Sequence, residues 1–511
     1  MRVAFRVDAS VDIGHGHFMR CLTLANSFEA ICVEIKFISR DLPLYLQKKV
    51  TDQGYIFSAL TKEVDEQVFD DLQHSQWLGA NQNQDALESI SAMGAGVWDW
   101  LVVDHYGIDY RWEKQVKHHV KKVLVIDDLA DRHHDCDVLI DQNLYRDMHT
   151  RYDGLVSSSC KLYLGPKFAF LRSEFNAMRE HAKVRSGKVR TILVYFGGVD
   201  SDNNTLLALN ALISCSNRLR LSNALQVNVV IGAEHPALTE IEQICLKQNY
   251  ACYIQTDKMA DLMANADLAI GAGGISTYER LYLRLPSILK ATSLNQLEPL
   301  TYMSSTGLFE LFADIKELEY KLEDALLREN SSPPDCVENG IAKLVSYMND
   351  SSVNLKNMTS LNVATTFKWL QNSQLRDDFH VLDIPQRSNH FKYWRNVFNS
   401  FDQRSYAIYY FDAYVGNCGL KNINIEARSC ELWIYIADLS VRGRGVAKKS
   451  IINLITKAQS EFSCSEIYLH VSKLNLVAVN LYKATGFNYV DEPLKEPWHN
   501  RPDMQKMSAE I

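Results

Sequence analysis

The length, composition and charge of the chain indicate a globular protein with several domains. A chain of 511 residues is too long for one ordinary hydrophobic core. Its 47% hydrophobic and 23% charged residues are typical of a soluble fold. The net charge of −8 argues against broad nucleic-acid binding. The eleven cysteines are scattered and lack a CxxC pair, as in a reducing compartment. With neither a signal-peptide core nor an apolar run near the roughly 18 residues that cross a bilayer, we expect a cytoplasmic protein.

Short apolar runs alternate with helical patterns from the first residues to about residue 345. A helix is predicted over Phe18 to Phe28, because Phe18, Leu22, Ala25 and Phe28 form one apolar stripe. The predicted strands of this first part are Val3–Val7, Trp100–Val103, Lys122–Ile126 and Val138–Ile140. Continuous apolar strands of this length favour a parallel sheet that is buried on both faces.

The alternating pattern restarts near Thr191. Each new strand ends in glycine, as the turns of βαβ units require. The strands are Ile192–Phe196, Val227–Ile231 and Leu268–Ile270. We therefore predict two Rossmann-like α/β halves, residues 1–185 and 186–370, with a loop over Arg328–Gly340.

A different pattern begins after the polar stretch Gln371–Gln374. Aromatic and β-branched runs predict antiparallel strands, and a glycine loop then leads into a long helix. The predicted strands are Ser405–Phe411, Ala413–Leu420, Cys430–Ile436 and Ile467–Val471. This part is predicted to be a separate α+β domain, residues 375–511.

The loop after the first strand carries two histidines between glycines. Gly14 and Gly16 allow a tight turn and close approach of a ligand. The loop lies at the carboxyl end of a parallel strand, where open α/β sheets bind ligands. His15 or His17 is suited to accept a proton from water, although either is equally compatible with a hydrogen bond inside the loop. A metal site built on this His-x-His pair is disfavoured, because no third ligand follows at a recognisable spacing.

Several motifs in the first 345 residues resemble the UDP-sugar hydrolase family of pseudaminic acid synthesis (PseG). They are Arg6–Ser10, Ile13–Arg20, Asp104–Tyr106, Ile126–Arg132, Asp141–Asn143, Tyr163–Pro166 and Phe196–Asp200. The resemblance implies a GT-B arrangement of the two halves, with His17 as the catalytic residue and no role for His15. It also implies that Gly14, Gly16, Arg20, Asp104, Tyr106 and Asn143 line the sugar side, where each residue is equally compatible with a structural role.

A second glycine loop, Gly271–Arg280, follows a predicted strand and opens a helix. Amides at a helix start bind pyrophosphate well, and a carboxylate in the first turn accepts hydrogen bonds from ribose hydroxyls. Helix capping by Ser276 or Thr277, with Glu279 complementing the helix dipole, explains the same pattern. The loop resembles the nucleotide-binding segment of GT-B glycosyltransferases, which implies UDP binding by Gly273, Gly274, Ser276, Thr277 and Glu279.

The last domain contains a basic glycine loop, whose residues are Arg442, Gly443, Arg444, Gly445, Val446 and Ala447. This loop, together with the later Asn475, Tyr482 and Gly486-Phe487, resembles the GNAT superfamily of N-acetyltransferases (PseH-like). The resemblance implies that the loop and Asn475 bind acetyl-CoA and that Tyr482 protonates the leaving thiolate. The base stays open between Glu431, Asp438 and a chain of waters.

Together the two resemblances imply a bifunctional enzyme of pseudaminic acid biosynthesis with a UDP-linked amino-sugar and acetyl-CoA as substrates and no metal. The GNAT domain is expected to N-acetylate a UDP-4-amino-sugar. The PseG-like part is expected to hydrolyse the product, UDP-2,4-diacetamido-2,4,6-trideoxy-β-L-altropyranose, with inversion. The alternative is a GT-B glycosyltransferase with a CoA-binding sensor domain.

Overall fold

The computed structural model describes residues 1–10, 12–28, 33–61, 70–183, 185–221, 225–350, 353–372, 376, 386–411, 413–492, 501 and 503–511. They form two compact units, a larger one within residues 2–30 and 34–345 and a smaller one that contains Met1, Val33 and residues 346–511. In this described part, no helix combines the length and the apolarity that a membrane span needs.

The first half of the larger unit is a parallel sheet of seven strands in the order β3-β2-β1-β4-β5-β6-β7. The strands are β1 (Arg2–Val7), β2 (Glu34–Ser39), β3 (Ile56–Ala59), β4 (Trp98–Asp104), β5 (Val120–Ile126), β6 (Val138–Asp141) and β7 (Lys161–Leu164). The helices are α1 (Gly16–Asn26), α2 (Leu44–Asp52), α3 (Gln82–Met93), α4 (Tyr110–Val116) and α5 (Ser173–Arg179), with 3₁₀ turns at Ser75–Leu78, Lys117–His119 and Pro166–Phe168. Ala4 packs in a core on one face of the sheet, and Phe5 stacks on Phe37 on the other, so the predicted burial of both faces is correct.

The second half repeats this architecture with six parallel strands in the order β11-β10-β9-β12-β13-β14. They are β9 (Thr191–Tyr195), β10 (Gln226–Ile231), β11 (Ala251–Ile254), β12 (Leu268–Ala272), β13 (Ser287–Lys290) and β14 (Glu310–Leu311). The helices are α6 (Asn204–Arg218), α7 (Leu238–Gln248), α8 (Met259–Asn265), α9 (Ile275–Tyr282), α10 (Leu294–Ser305), α11 (Ile315–Leu327) and α12 (Ile341–Asp350). A short antiparallel pair, β8 (Ser186–Gly187) with β15 (Asn330–Ser331), falls partly in the predicted loop.

The smaller unit is a mixed sheet of seven strands in the order β16-β17-β18-β19-β20-β22-β21. They are β16 (Val353–Asn357), β17 (Arg404–Tyr410), β18 (Ala413–Asn424), β19 (Ser429–Ile436), β20 (Glu466–Ser472), β21 (Asn488–Val490) and β22 (Met504–Glu510). The helices are α13 (Ser360–Trp369), α14 (Arg387–Asn399), α15 (Val446–Phe462) and α16 (Leu476–Lys483), with a 3₁₀ turn at Leu439–Val441. The predicted fold class, two Rossmann-like halves followed by an α+β domain, is confirmed.

The start of the smaller unit differs from the predicted boundary at 375. Strand β16 pairs with β17 along Val353 to Asn357, and Val363 of α13 packs in a core with Trp394 of α14. The boundary between the units falls within α12, so the end of that helix from Ser346 and segment 353–370 belong to the C-terminal unit rather than to the preceding half. Strand β16 is only five residues long and lies between helices α12 and α13, so its short alternation of Val353 and Leu355 with polar residues is a weak signal in the sequence.

Candidate active sites

The histidine of the first glycine loop is anchored by a buried carboxylate. His17 lies in the first turn of α1, is 8% exposed and lines a cleft of about 760 Å³. Its Nδ1 lies 2.6 Å from Oδ1 of Asp104, which ends β4 beside Val7 of β1. Because the carboxylate accepts the Nδ1 proton, the neutral ring keeps its lone pair on Nε2. This tautomer suits His17 to act as a general base.

Arg20 holds the carboxylate that anchors His17. It donates from Nε to Asp104 Oδ2 at 2.5 Å and from a terminal nitrogen to Oδ1 at 2.7 Å. Burial of Asp104 acts to raise the pKa of its carboxyl, but the charge of Arg20 and the hydrogen bonds from Arg20 and His17 lower that pKa well below its usual range. Asp104 is completely buried and so lies beneath His17, whereas the sequence suggests a place on the sugar side.

Tyr106 joins the two halves at the cleft. Its hydroxyl donates to Asp128 Oδ1 and accepts from Asn295 Nδ2, 3.3 Å away in α10. Its ring meets His17 edge-on, with centroids 4.5 Å apart, and stacks on Trp77 at 5.7 Å. Asp128 and Asn295 both line the cleft but are absent from the predicted site. Asp128 is part of the motif after β5, while Asn295 has no comparable signal.

The second glycine loop faces the same cleft. Gly274, with φ +100°, connects β12 to α9, and a Cβ at Gly273 would lie 2.3 Å from Leu300 Cδ1, so a side chain there requires Leu300 to move. Gly274 and Thr277 line the cleft together with Gly14 and Gly16, whereas Ser276 does not belong to the lining.

Thr277 presents an unusual polar atom at this helix start. The residue is 1% exposed, and its Oγ1 has no hydrogen-bond partner among the residues that the structure describes. Buried hydroxyls are normally hydrogen-bonded. The Thr277 hydroxyl is therefore better explained as a contact for a bound anion than as a helix-capping group.

Two further predicted residues make hydrogen bonds within the protein. Glu279 is 5% exposed, and its Oε1 accepts hydrogen bonds of 3.0 Å from Arg172, a residue that we do not predict from the sequence. Asn143 lines the cleft and accepts a 2.6 Å hydrogen bond from the Tyr278 hydroxyl. Glu279 does not line the cleft, so its predicted contact with ribose requires a rearrangement of the Arg172 pair.

In the smaller unit, the basic glycine loop connects a 3₁₀ turn to α15. Gly443 and Gly445 adopt φ values of +79° and +73°, a conformation that side-chain-bearing residues disfavour. The residues Arg442, Gly443, Arg444, Gly445, Val446 and Ala447 are consecutive at this helix start. The amides of a first helical turn lack intrahelical acceptors and attract anions.

Tyr482 and Asn475 both belong to the region of α16. Tyr482 is 9% exposed, and burial raises the pKa of its phenol to about 12. The phenol therefore keeps its proton at neutral pH, as an acid requires. Asn475 caps the helix by accepting a 3.1 Å hydrogen bond from the Ala478 amide, so its amide oxygen already has a structural role.

The two carboxylates considered as the acetyl-transfer base differ in their surroundings. Asp438 caps the 3₁₀ turn through the Ser440 amide at 2.9 Å. Glu431 accepts hydrogen bonds from His470 Nδ1 at 2.9 Å and from Asn422 at 2.8 Å. Burial acts to raise the pKa of Glu431, but the hydrogen bond from His470 and the charge of Lys421 lower it. Glu431 is therefore a weak base.

Comparisons with known proteins match each part of the chain. Residues 368–487 match the Acetyltransferase (GNAT) family. The UDP-2,4-diacetamido-2,4,6-trideoxy-beta-L-altropyranose hydrolase of Campylobacter jejuni is 25% identical over 63% of this chain and 100% of its own length. The chain resembles a fusion of these two families. The spore coat polysaccharide biosynthesis protein SpsG of Bacillus subtilis is 23% identical over 60% of the chain and 80% of its own length.

The fused arrangement has a full-length relative. An uncharacterized protein of Methanocaldococcus jannaschii is 22% identical over 98% of this chain and 99% of its own length. Among solved structures, the N-acetyltransferase PseH of Campylobacter jejuni is 19% identical, with a TM-score of 0.24 over 31% of this chain and 98% of its own. The spermidine N-acetyltransferase of Vibrio cholerae with CoA and spermine is 20% identical, with a TM-score of 0.29 over 31% and 96%.

Proposed function

We propose that the chain carries out two consecutive reactions on a UDP-linked amino-sugar. The smaller unit transfers an acetyl group from acetyl-CoA to the 4-amino group. The larger unit then hydrolyses the product, UDP-2,4-diacetamido-2,4,6-trideoxy-β-L-altropyranose, to UDP and the free sugar. The observation that carries the hydrolytic part of the proposal is His17, held by the buried Asp104, in one cleft with the Gly274–Thr277 helix start.

Hydrolysis in this proposal uses a water molecule and no sugar acceptor. His17 Nε2 takes a proton from the water while the water oxygen attacks the anomeric carbon of the sugar. The bond from that carbon to the UDP oxygen breaks on the opposite face, which inverts the anomeric configuration. The amides at the start of α9 and the Thr277 hydroxyl stabilise the leaving pyrophosphate. Asp104 keeps the proton on Nδ1 of His17 throughout.

Acetyl transfer in this proposal is a direct attack of the amine on the thioester. The loop from Arg442 to Ala447 holds the CoA pyrophosphate through helix-start amides and arginine charges. Strands β19 and β20 pair only between Ser429 and Glu431 on β19, so the rest of the β19 edge is suited to hydrogen-bond the amides of the pantetheine arm. Tyr482 gives its proton to the departing thiolate.

The test separates the two reactions with one substitution each. His17→Asn should lose UDP release by about 10² to 10⁴-fold while thiol release from acetyl-CoA is unchanged. Tyr482→Phe should lose thiol release but keep UDP release when the already acetylated UDP-sugar is supplied. UDP release that needs a second sugar would favour a glycosyltransferase, and CoA binding without thiol release would favour a sensor. If His17→Asn hydrolyses at nearly the normal rate, the proposed hydrolytic site is wrong.

A further inference from the structure

A histidine and a glutamate meet where β19 and β20 separate. The two strands pair in register from Ser429↔Glu466 to Glu431↔Tyr468, and within the described residues the pairing ends there. β19 continues along β18, and β20 continues along β22. His470 lies two residues past the separation on β20, with Nδ1 at 2.9 Å from Glu431 Oε1. The pair therefore stands at the opening between the strands.

The pair lies on the sheet face covered by α13 and α14. Side chains two residues apart on a strand point to the same face, so Glu431 and Trp433 share one. Trp433 packs against the core formed by Val363 of α13 and Trp394 of α14. Helix α15, whose N-terminus belongs to the glycine loop, packs on the opposite face, where its Lys457 lies over the Tyr406 ring. A thioester inserted in the opening between the strands would have the imidazole of His470 on its α13–α14 side.

The hydrogen bonds around the pair assign different roles to its members. Glu431 accepts the Nδ1 proton, which leaves the lone pair of a neutral imidazole on Nε2. Lys421 Nζ lies 3.1 Å from Glu431 Oε1 and Asn422 donates to Oε2, so the carboxylate is stabilised as an anion. Glu431 orients the ring, as carboxylates do for catalytic histidines.

We propose that His470 is the general base of acetyl transfer and that Glu431 is its positioning residue. This rests on the proposed acetyltransferase function. The amine nitrogen bonds to the thioester carbonyl carbon while His470 Nε2 takes a proton from that nitrogen. The carbon–sulfur bond then breaks, and the sulfur receives a proton from Tyr482. The products are the amide and CoA thiol, after which the imidazolium loses its proton to solvent and Tyr482 regains one.

The charged and titratable groups around His470 come from each neighbouring strand. Glu431 and Lys421 contact each other from β19 and β18. The Tyr468 ring meets the His470 ring edge-on, with centroids 5.9 Å apart. Lys506 of β22 is the register partner of His470 and lies over the Tyr468 ring at 4.9 Å. Among the residues that the structure describes, Glu431 is the anion in contact with the ring, so it is the support that we assign to the imidazolium.

The test compares His470→Asn with the wild-type chain. The asparagine amide preserves the donor to Glu431 but supplies no base, so kcat for acetylation should fall by about 10² to 10⁴-fold with unchanged acetyl-CoA affinity. His119→Asn, at an exposed histidine of the larger unit, is the control and should keep full activity. Glu431→Gln should move the acidic inflection of the pH–rate profile to lower pH, because the imidazolium loses its neighbouring charge. A purely structural glutamate would leave that inflection in place.

Rates are measured as thiol release with the UDP-4-amino-sugar and with a panel of simple primary amines. Acetylation of simple amines but not of the sugar would contradict the proposed substrate, and the variants would still be compared on the accepted amine. A His470→Asn rate within about threefold of wild type would overturn the assignment of the base, as would an unmoved inflection in Glu431→Gln. A wild-type chain that acetylates no amine would overturn both proposals.

Discussion

Replacing Asp104 by asparagine should abolish hydrolysis by removing the carboxylate that holds the ring proton on His17 Nδ1. Arg20 donates hydrogen bonds to both oxygens of Asp104, and Oδ1 also faces His17 Nδ1, so an asparagine must place its amide nitrogen against one Arg20 N–H. With the nitrogen at the Oδ2 position, His17 loses the negative charge that supports its protonated ring; with the nitrogen at the Oδ1 position, the amide donates to Nδ1 and the ring proton moves to Nε2. A histidine with its proton on Nε2 cannot accept one from water there. The expected loss is about 10² to 10⁴-fold in kcat, or roughly 3 to 5 kcal/mol in the barrier.

The matched control is Asp99→Asn in the same strand. Asp99 is also fully buried and pairs with Lys121 at 2.9 Å, but it lies five residues before Asp104, roughly 17 Å away along β4. Both variants remove a buried charge and should lower the melting temperature, while only Asp104→Asn should lose UDP release, measured by a coupled assay. If both variants hydrolyse at rates within tenfold of each other, Asp104 does not control the His17 tautomer.

Four further outcomes are expected. Thr277→Val should weaken UDP binding about fivefold, since one hydrogen bond contributes about 1 kcal/mol; unchanged affinity by calorimetry would contradict this. Wild-type acetylation should not decline between pH 7 and 10, because the raised pKa of Tyr482, about 12, keeps the acid protonated; a decline near pH 9 would exclude it as the donor. EDTA should leave both activities intact, and Mg²⁺-restorable loss would show a metal requirement. By circular dichroism and melting curves, fragment 346–511 should fold while 375–511, which lacks β16 and α13, should not; equal stability would contradict the boundary.

Local pattern predicts the parts of this fold that depend on neighbouring residues. The strands that carry the sites are continuous apolar runs ending in glycine or polar residues, and the structure has them within a few positions of their predicted ends. His17 and Thr277 were identified from loops that directly follow such strands. Their placement in one cleft follows from the rule that ligands bind at the carboxyl ends of parallel strands.

Contacts between distant segments were not predictable from one sequence. Arg172 meets Glu279, and Asn295 meets Tyr106, across more than a hundred residues with no shared motif. Strand β16 alternates Val353 and Leu355 with polar residues over only five positions, too short a pattern to identify without its pairing with β17. The contact between His470 and Glu431 is likewise hidden in the sequence, because only the register of β19 and β20 brings the two residues together.

The most direct test of the two-reaction account is a single NMR time course. The full chain is incubated with UDP-4-amino-4,6-dideoxy-β-L-AltNAc and acetyl-CoA, without any sugar acceptor. We expect a transient N-acetylated UDP-sugar, followed by equal amounts of UDP and free 2,4-diacetamido sugar whose first-formed anomer is inverted. Accumulation of the acetylated UDP-sugar without UDP release, or UDP release without prior acetylation, would contradict it.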